Sequence, residues 1–174
     1  DLSSNKIRKY PIKSSSKLLA LTILNLSRNK MVDLHGIYVP KNIEILDLSM
    51  NKIRRIYIQT DVNLNSSSSL KSKFLHNLSG LSLNVNKLKN VGNINIFANL
   101  IELDLSGNQI NQINDKLKDL KKLTHLNLAS NNLTKFSPMI INSLKKLEKL
   151  SLRKNKMDSL TIDSRSLLNL DGIQ

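Results

Sequence analysis

The chain has 174 residues, of which 40% are hydrophobic and 3% aromatic, and its formal net charge at pH 7 is +14. The absence of cysteine excludes disulfides and thiolate metal sites, and no apolar run reaches the roughly 18 residues that a membrane-spanning helix needs. The excess of Lys and Arg favours acidic partners but carries no information about the fold.

One pattern recurs along the whole chain. It has the form L-x-x-L-x-L-x-x-N-x-L-x-x-L, with Ile, Met or Phe at some of the later Leu positions. Seven asparagines anchor its copies: Asn5, Asn29, Asn51, Asn86, Asn108, Asn131 and Asn155. Their spacings are 24, 22, 35, 22, 23 and 24 residues. Apolar and polar residues alternate before each Asn, as around Leu103 and Leu105, and this period of two predicts a short strand buried on one face.

Repeats with this pattern and a period of 20 to 29 residues are the signature of leucine-rich repeats, so the chain resembles that superfamily. A single copy cannot bury its own apolar face and must stack on its neighbours. We therefore predict an α/β solenoid, a right-handed superhelix of about seven repeats, with short parallel concave strands and a mostly irregular convex side. The resemblance implies that each anchoring amide hydrogen-bonds the backbone of neighbouring turns where the strand ends.

We predict a single array over residues 1–174, cut inside a repeat at both ends and without end caps. In residues 117–123 and 143–150 the apolar side chains recur every three or four positions, which predicts one helical or 3₁₀ turn in each segment. The 35-residue spacing exceeds 22 by 13 residues, and the excess lies in a Ser-rich insertion loop at residues 60–72. This loop is either a tolerated surface insertion or a partner-binding segment.

The side chains between the core leucines should project from the concave face and form columns about 4.8 Å apart from turn to turn. One column is short and polar, as is common in the superfamily: Asp1, Asn25, Asp47, Ser82, Asp104, Asn127 and Ser151. The column two residues earlier begins with Ile23 and Ile45, and Met50 and Val85 lie further along their strands. We predict that these four apolar residues bind a partner protein, unless the insertion covers them.

The second half of the same column is charged. Glu102, His125 and Lys149 follow one another in successive repeats, and Arg153 lies near Lys149. We predict that these four residues belong to the same partner-binding face. The alternative interpretation is a strip of solvated charges.

A third set of positions, directly after the anchoring Asn, is rich in lysine: Lys6, Lys30, Lys52, Lys87 and Lys156. A basic flank of this kind supplies affinity for acidic surfaces and polyanions. The chain has only three Tyr and three Phe, which argues against nucleic-acid recognition by stacking. Codon bias in an AT-rich genome is the other explanation of the many Lys and Asn residues.

No pattern of catalytic residues is present. His35, His76 and His125 occupy different repeat positions, and neither G-x-S-x-G nor a glycine-rich phosphate loop occurs. Asp47 and Asp104 share a column, but two strand spacings would separate them by about 10 Å, beyond the range of paired-carboxylate glycosidases. We therefore predict no enzymatic activity, no cofactor and no metal site.

Two segments resemble a particular branch of the superfamily. Residues 39–56, VPKNIEILDLSMNKIRRI, resemble the start of repeats in Toll-like receptor ectodomains, and residues 133–144 fit the 24-residue repeats of those receptors. The mixture of 22- to 24-residue repeats is also similar to the secreted leucine-rich-repeat immune proteins of mosquitoes. These resemblances imply an extracellular or cell-surface recognition module of innate immunity, which binds a partner protein on its concave face.

Four N-x-S/T sequons favour the same location by predicting a glycoprotein: Asn25, Asn65, Asn77 and Asn132. The alternative is an intracellular scaffold or regulatory subunit of the phosphatase-regulator type, located in the cytoplasm. A polyanion binder is a third alternative.

Overall fold

Six short parallel strands form one sheet in the computed structural model, which describes residues 1–9, 20–34, 40, 42–56 and 76–158. Each strand has three residues, and the order in the sheet is the order along the chain. The strands are β1 (Ile23–Asn25), β2 (Ile45–Asp47), β3 (Gly80–Ser82), β4 (Glu102–Asp104), β5 (His125–Asn127) and β6 (Lys149–Ser151). Residues 1–9 add a further turn, because the Leu2 N–H donates to the Asn25 carbonyl at 2.8 Å. The predicted solenoid of stacked turns is confirmed.

The strands pair residue for residue, and this register builds the core. The middle residue of every strand is a leucine no more than 3% exposed, and it stacks on the corresponding leucine of the next strand. The 35-residue spacing does not interrupt the sheet, since β2 and β3 pair directly. The predicted insertion loop at residues 60–72 lies outside the described residues.

The convex side contains three short helical turns among the described residues. They are 3₁₀ turns at Ile94–Phe97 and Asp115–Asp119 and the α-helix α1 at Pro138–Ser143. No helix of the described residues is long and apolar enough to cross a membrane.

Both predicted helical segments begin earlier than the sequence period suggested. The helical turn expected in residues 117–123 covers Asp115–Asp119, where the Asn114 side chain caps it by accepting from the Lys116 N–H at 3.1 Å. The turn expected in residues 143–150 is wrong, because α1 ends at Ser143. From Leu144 onward the chain extends to reach β6. The buried Leu144 and Leu147 therefore contribute to the core from the connection between α1 and β6 and not from a helix.

A ladder of buried asparagine amides joins each turn to the previous one. The Asn108 Nδ2 donates to the carbonyls of Leu105 in its own turn and Leu83 in the previous turn, at 2.9 and 3.0 Å. Its Oδ1 accepts from the backbone N–H of Leu88, also in the previous turn, at 3.0 Å. The same set of bonds recurs at Asn29, Asn51, Asn86, Asn131 and Asn155. The amide role implied by the resemblance is confirmed.

Replacing one rung of this ladder tests how much the solenoid depends on it. In the variant Asn108→Ala, the Leu83 and Leu105 carbonyls and the Leu88 N–H lose a buried partner, which should lower the free energy of unfolding by about 3 kcal/mol. Asn111→Ala is the control, because the Asn111 side chain is exposed and makes no hydrogen bond with another described residue. Thermal unfolding followed by circular dichroism should separate the two variants, and equal melting temperatures would contradict the role of the ladder.

Candidate functional site

The register of the strands brings the predicted partner-binding residues together on one face. Ile23 pairs with Ile45, Ile45 with Gly80, Glu102 with His125, and His125 with Lys149. In each strand the residues on either side of the buried leucine project from this concave face. The column predicted from the sequence is therefore a continuous row across six strands.

The first part of this row is apolar and exposed. Ile23 and Ile45 are 57% and 46% exposed. A Cβ built on Gly80 would lie 3.6 Å from the Ile45 Cγ1, so the Ile45 side chain lies over the glycine of the next strand. The two isoleucines thus form a ridge on an otherwise polar surface, and large exposed apolar groups in such a cluster are typical of binding surfaces.

Met50 and Val85 extend the apolar surface toward the C-terminal ends of the strands, where they are 42% and 50% exposed. Both residues have a left-handed backbone, with φ of 54° and 52°. Every described residue that directly precedes an anchoring Asn has a positive φ. In the repeat that contains β4 this residue is a glycine, Gly107. A β-branched residue is strained there, since its Cβ crowds the backbone in this conformation. An exposed Val at a strained position lends support to selection for binding rather than for stability.

The short polar column has a structural role that the sequence did not reveal. The side-chain oxygens of Asn25, Asp47 and Asp104 each accept a hydrogen bond at 2.9 Å from the backbone N–H two residues later. These Asx turns direct the chain from the strand into the left-handed residue and the anchoring Asn. At Ser82 the turn differs, because Asn84 Nδ2 donates to Ser82 Oγ and to Asp104 Oδ2 at 3.0 and 3.2 Å.

A groove of about 880 Å³ lies over strands β2 to β6. Its charged lining consists of Glu102, Asp104, Glu148, Lys149 and Arg153, so its formal charge is −3 + 2 = −1 with His125 neutral. The net charge of the whole chain is +14, and the positive excess therefore lies elsewhere. Sequence reasoning missed Glu148, because this exposed residue directly precedes β6 and lies outside the alternating strand positions.

Glu102, His125 and Lys149 are neighbours, but no ion pair within 4.0 Å joins their side chains in the described part of the chain. The His125 Nδ1 instead shares a hydrogen bond of 2.7 Å with the Thr124 Oγ1. Glu102, Lys149 and Arg153 are exposed. Their charges are therefore available for ion pairs with a partner, because they do not pair with one another.

The predicted sequons occupy different surfaces. Asn77 lies in an exposed turn three residues before β3, whereas Asn25 lies on the concave sheet with its Oδ1 engaged by the Ser27 N–H. Asn132 is half-buried beside an anchoring Asn, and Asn65 lies outside the described residues. Asn77 is therefore the described sequon whose side chain is best placed for modification.

Registered three-residue parallel strands, a buried asparagine ladder and short convex turns define a solenoid of the leucine-rich-repeat type. A family model described as "Leucine rich repeat" matches residues 99–157. A solved structure of the TLR13–ssRNA13 complex superposes with a TM-score of 0.71 over 97% of this chain and 28% of that chain, at 22% identity. The chain belongs to the leucine-rich-repeat superfamily.

Three curated relatives are similar over most of this chain. Tsukushi from Gallus gallus is 30% identical over 99% of this chain and 53% of its own length. Transforming growth factor beta activator LRRC33 from Danio rerio is 34% identical over 72% of this chain and 17% of its own length. Adenylate cyclase from Schizosaccharomyces pombe is 30% identical over 90% of this chain and 9% of its own length. The chain thus spans between about a tenth and half of these relatives, and the insect likeness stays a prediction.

The strain at Val85 can be measured by exchanging its side chain. Val85→Asn should raise the free energy of unfolding by about 1 kcal/mol, because Asn tolerates the left-handed conformation better than a β-branched residue. Val32→Asn is the matched control, since Val32 is 42% exposed and is not among the residues of positive φ. Calorimetric melting of both variants checks this, and a Val85→Asn protein that melts no higher than the control would contradict the strain.

Proposed function

We propose that the concave sheet binds a partner protein and that the chain is part of an extracellular or cell-surface recognition protein of the innate-immune or receptor kind. The observation that supports this most directly is the row of exposed apolar side chains beside a charged groove, in which Ile23 and Ile45 are 57% and 46% exposed. Leucine-rich-repeat solenoids present such a surface as a rigid, extended concavity.

The lining of the groove indicates the chemistry of that partner. An apolar end at Ile45, with Ile23 beside it on the next strand, is followed by carboxylates at Glu102 and Asp104. The cations Lys149 and Arg153 come next, together with the carboxylate of Glu148. A folded protein surface with an apolar centre and charges of both signs would complement this order, with the apolar contact supplying affinity and the charges fixing orientation. RNA was bound in the TLR13 complex, but a groove of formal charge −1 does not favour a polyanion here.

The names of the relatives favour a signalling partner outside the cell. LRRC33 is described as an activator of a transforming growth factor beta, which is itself a protein. The match to an adenylate cyclase covers 9% of that enzyme, and for this chain we continue to predict no enzymatic activity. The alternative is an intracellular scaffold, because the same solenoid serves recognition in either compartment.

Paired substitutions on opposite sides of the solenoid test the concave face. The double variant Ile45→Asp with Lys149→Glu should weaken the partner at least about 30-fold, since it places a charge in the apolar contact and reverses another. The partner is first identified by co-purification with the intact protein from its own source and is then titrated by calorimetry.

The double variant Met139→Asp with Lys145→Glu is the control, because both residues are exposed on the convex side, in and just after α1. Equal affinity of both variants for the partner would overturn the concave-face proposal. A loss in the convex variant alone would place the binding surface on the opposite side.

Glycosylation separates the extracellular proposal from the cytoplasmic alternative. In protein isolated from its own source, peptide mapping by mass spectrometry should find a glycan at Asn77, because its turn is exposed. Asn25 should stay unmodified, since a glycan there would cover the row of isoleucines. The variant Asn77→Gln is the control, because it should lack the mass of the glycan. An unmodified Asn77 in the native protein would favour the intracellular scaffold.

A further inference from the structure

Part of the positive charge of the chain forms an ordered cluster on one flank of the solenoid, where the chain leaves the strands. After each anchoring Asn, exposed and buried residues alternate, so the first and third residues point to solvent and the second enters the core. In the four N-terminal turns these residues read N-K-I-R, N-K-M-V, N-K-I-R and N-K-L-K. Seven of the eight exposed positions are therefore basic, and we call them the basic flank: Lys6, Arg8, Lys30, Lys52, Arg54, Lys87 and Lys89.

Backbone hydrogen bonds hold these residues in two straight columns. The N–H groups of Lys30, Lys52 and Lys87 donate at 2.8 Å to the backbone carbonyls of Ile7, Met31 and Ile53 in the preceding turns. Successive turns are thus about 4.8 Å apart, and two residues of extended chain separate the columns by about 7 Å. The basic flank is a ribbon about 14 Å long and about 7 Å wide, because it contains four turns and three spacings.

The cations of the basic flank have no acidic partner in the described part of the chain. All seven side chains are exposed, and none lies within 4.0 Å of a carboxylate there. At the next exposed position of the turns, Lys9 and Arg55 add two positive charges and Asp33 adds one negative charge. Like charges in neighbouring turns repel, so the arrangement creates a strong positive potential for which a bound anion would compensate.

The three C-terminal turns provide an internal comparison. The same repeat positions there hold Gln109, Asn111, Asn132, Thr134, Lys156 and Asp158, all exposed except the half-buried Asn132. One cation and one carboxylate give them no net charge. The lysines of the basic flank are therefore a property of one half of the solenoid and not of the repeat position, which a uniform codon bias would not produce.

We propose that the basic flank binds a linear sulfated polysaccharide. A single polysaccharide chain bearing sulfates along both edges fits a narrow ribbon with two columns of cations. Single-stranded nucleic acid is less suited, because the flank positions contain no aromatic residue on which bases could stack. Recognition of the base sequence of a DNA duplex requires a helix or a β-ribbon that enters the major groove of the DNA, and the basic flank contains neither.

Two variants of equal charge test this proposal in the intact protein. The flank variant carries Lys6→Gln, Lys30→Gln, Lys52→Gln and Lys87→Gln, and the control carries Lys121→Gln, Lys122→Gln, Lys145→Gln and Lys146→Gln on the convex segments. Each lowers the net charge of the chain from +14 to +10. Against a heparin oligosaccharide, the flank variant should lose affinity at least about tenfold and the control less than about threefold, and the dependence of log K on log [NaCl] should become shallower only in the flank variant.

Equal losses in the two variants would overturn the proposal, because attraction would then depend on net charge alone. Wild-type protein that binds duplex DNA of the same charge as tightly as heparin, or that binds desulfated heparin unchanged, would also overturn it. A measurement on the wild-type protein tests the same proposal without the risk that a variant fails to fold. Heparin should protect Lys30, Lys52 and Lys87 from acylation in the wild-type protein and leave Lys145 reactive, and uniform protection would contradict the assignment.

Discussion

Each turn of this solenoid is tied to its neighbour by one asparagine amide, and the rest of the structure depends on that contact. Where a three-residue strand ends, backbone carbonyls and an N–H group remain inside the protein without a sheet partner. The Asn side chain is both donor and acceptor, and it satisfies groups of two turns at once, as Asn108 does with Leu105 and Leu83. Strands this short can therefore stack in register without leaving these backbone groups unpaired, which would cost about 1–3 kcal/mol for each group.

The ladder also determines which surfaces are free for function. It closes the interior, so the alternate strand residues are left to form columns whose chemistry can vary without altering the core. One face carries Ile23, Ile45 and a groove of nearly balanced charge, whereas the flank carries seven of the ten cations among the described residues of the four N-terminal turns. Two separate surfaces of different chemistry would allow a protein partner and an anionic chain to be held at the same time.

The sequence predicted the repeats, the strand positions and the adjacency of Glu102, His125 and Lys149, because all three follow from a regular period. It did not predict the start of α1 at Pro138, since the apolar period continues through Leu144 and Leu147 while the chain must extend toward β6. It also missed Glu148, which lines the groove although it lies just before β6. The left-handed backbone of Val85 was hidden as well, because only Gly107 at the equivalent position signals it by residue type.

Two methionines allow the central claim, partner binding by the concave face, to be tested without any substitution. Met50 is 42% exposed on the concave side and Met139 is 76% exposed on α1. Hydroxyl-radical footprinting of the free protein and of its complex with the co-purified partner would report the oxidation of each. The account predicts that oxidation of Met50 falls in the complex while that of Met139 is unchanged. Protection of Met139 with Met50 still fully reactive would contradict it.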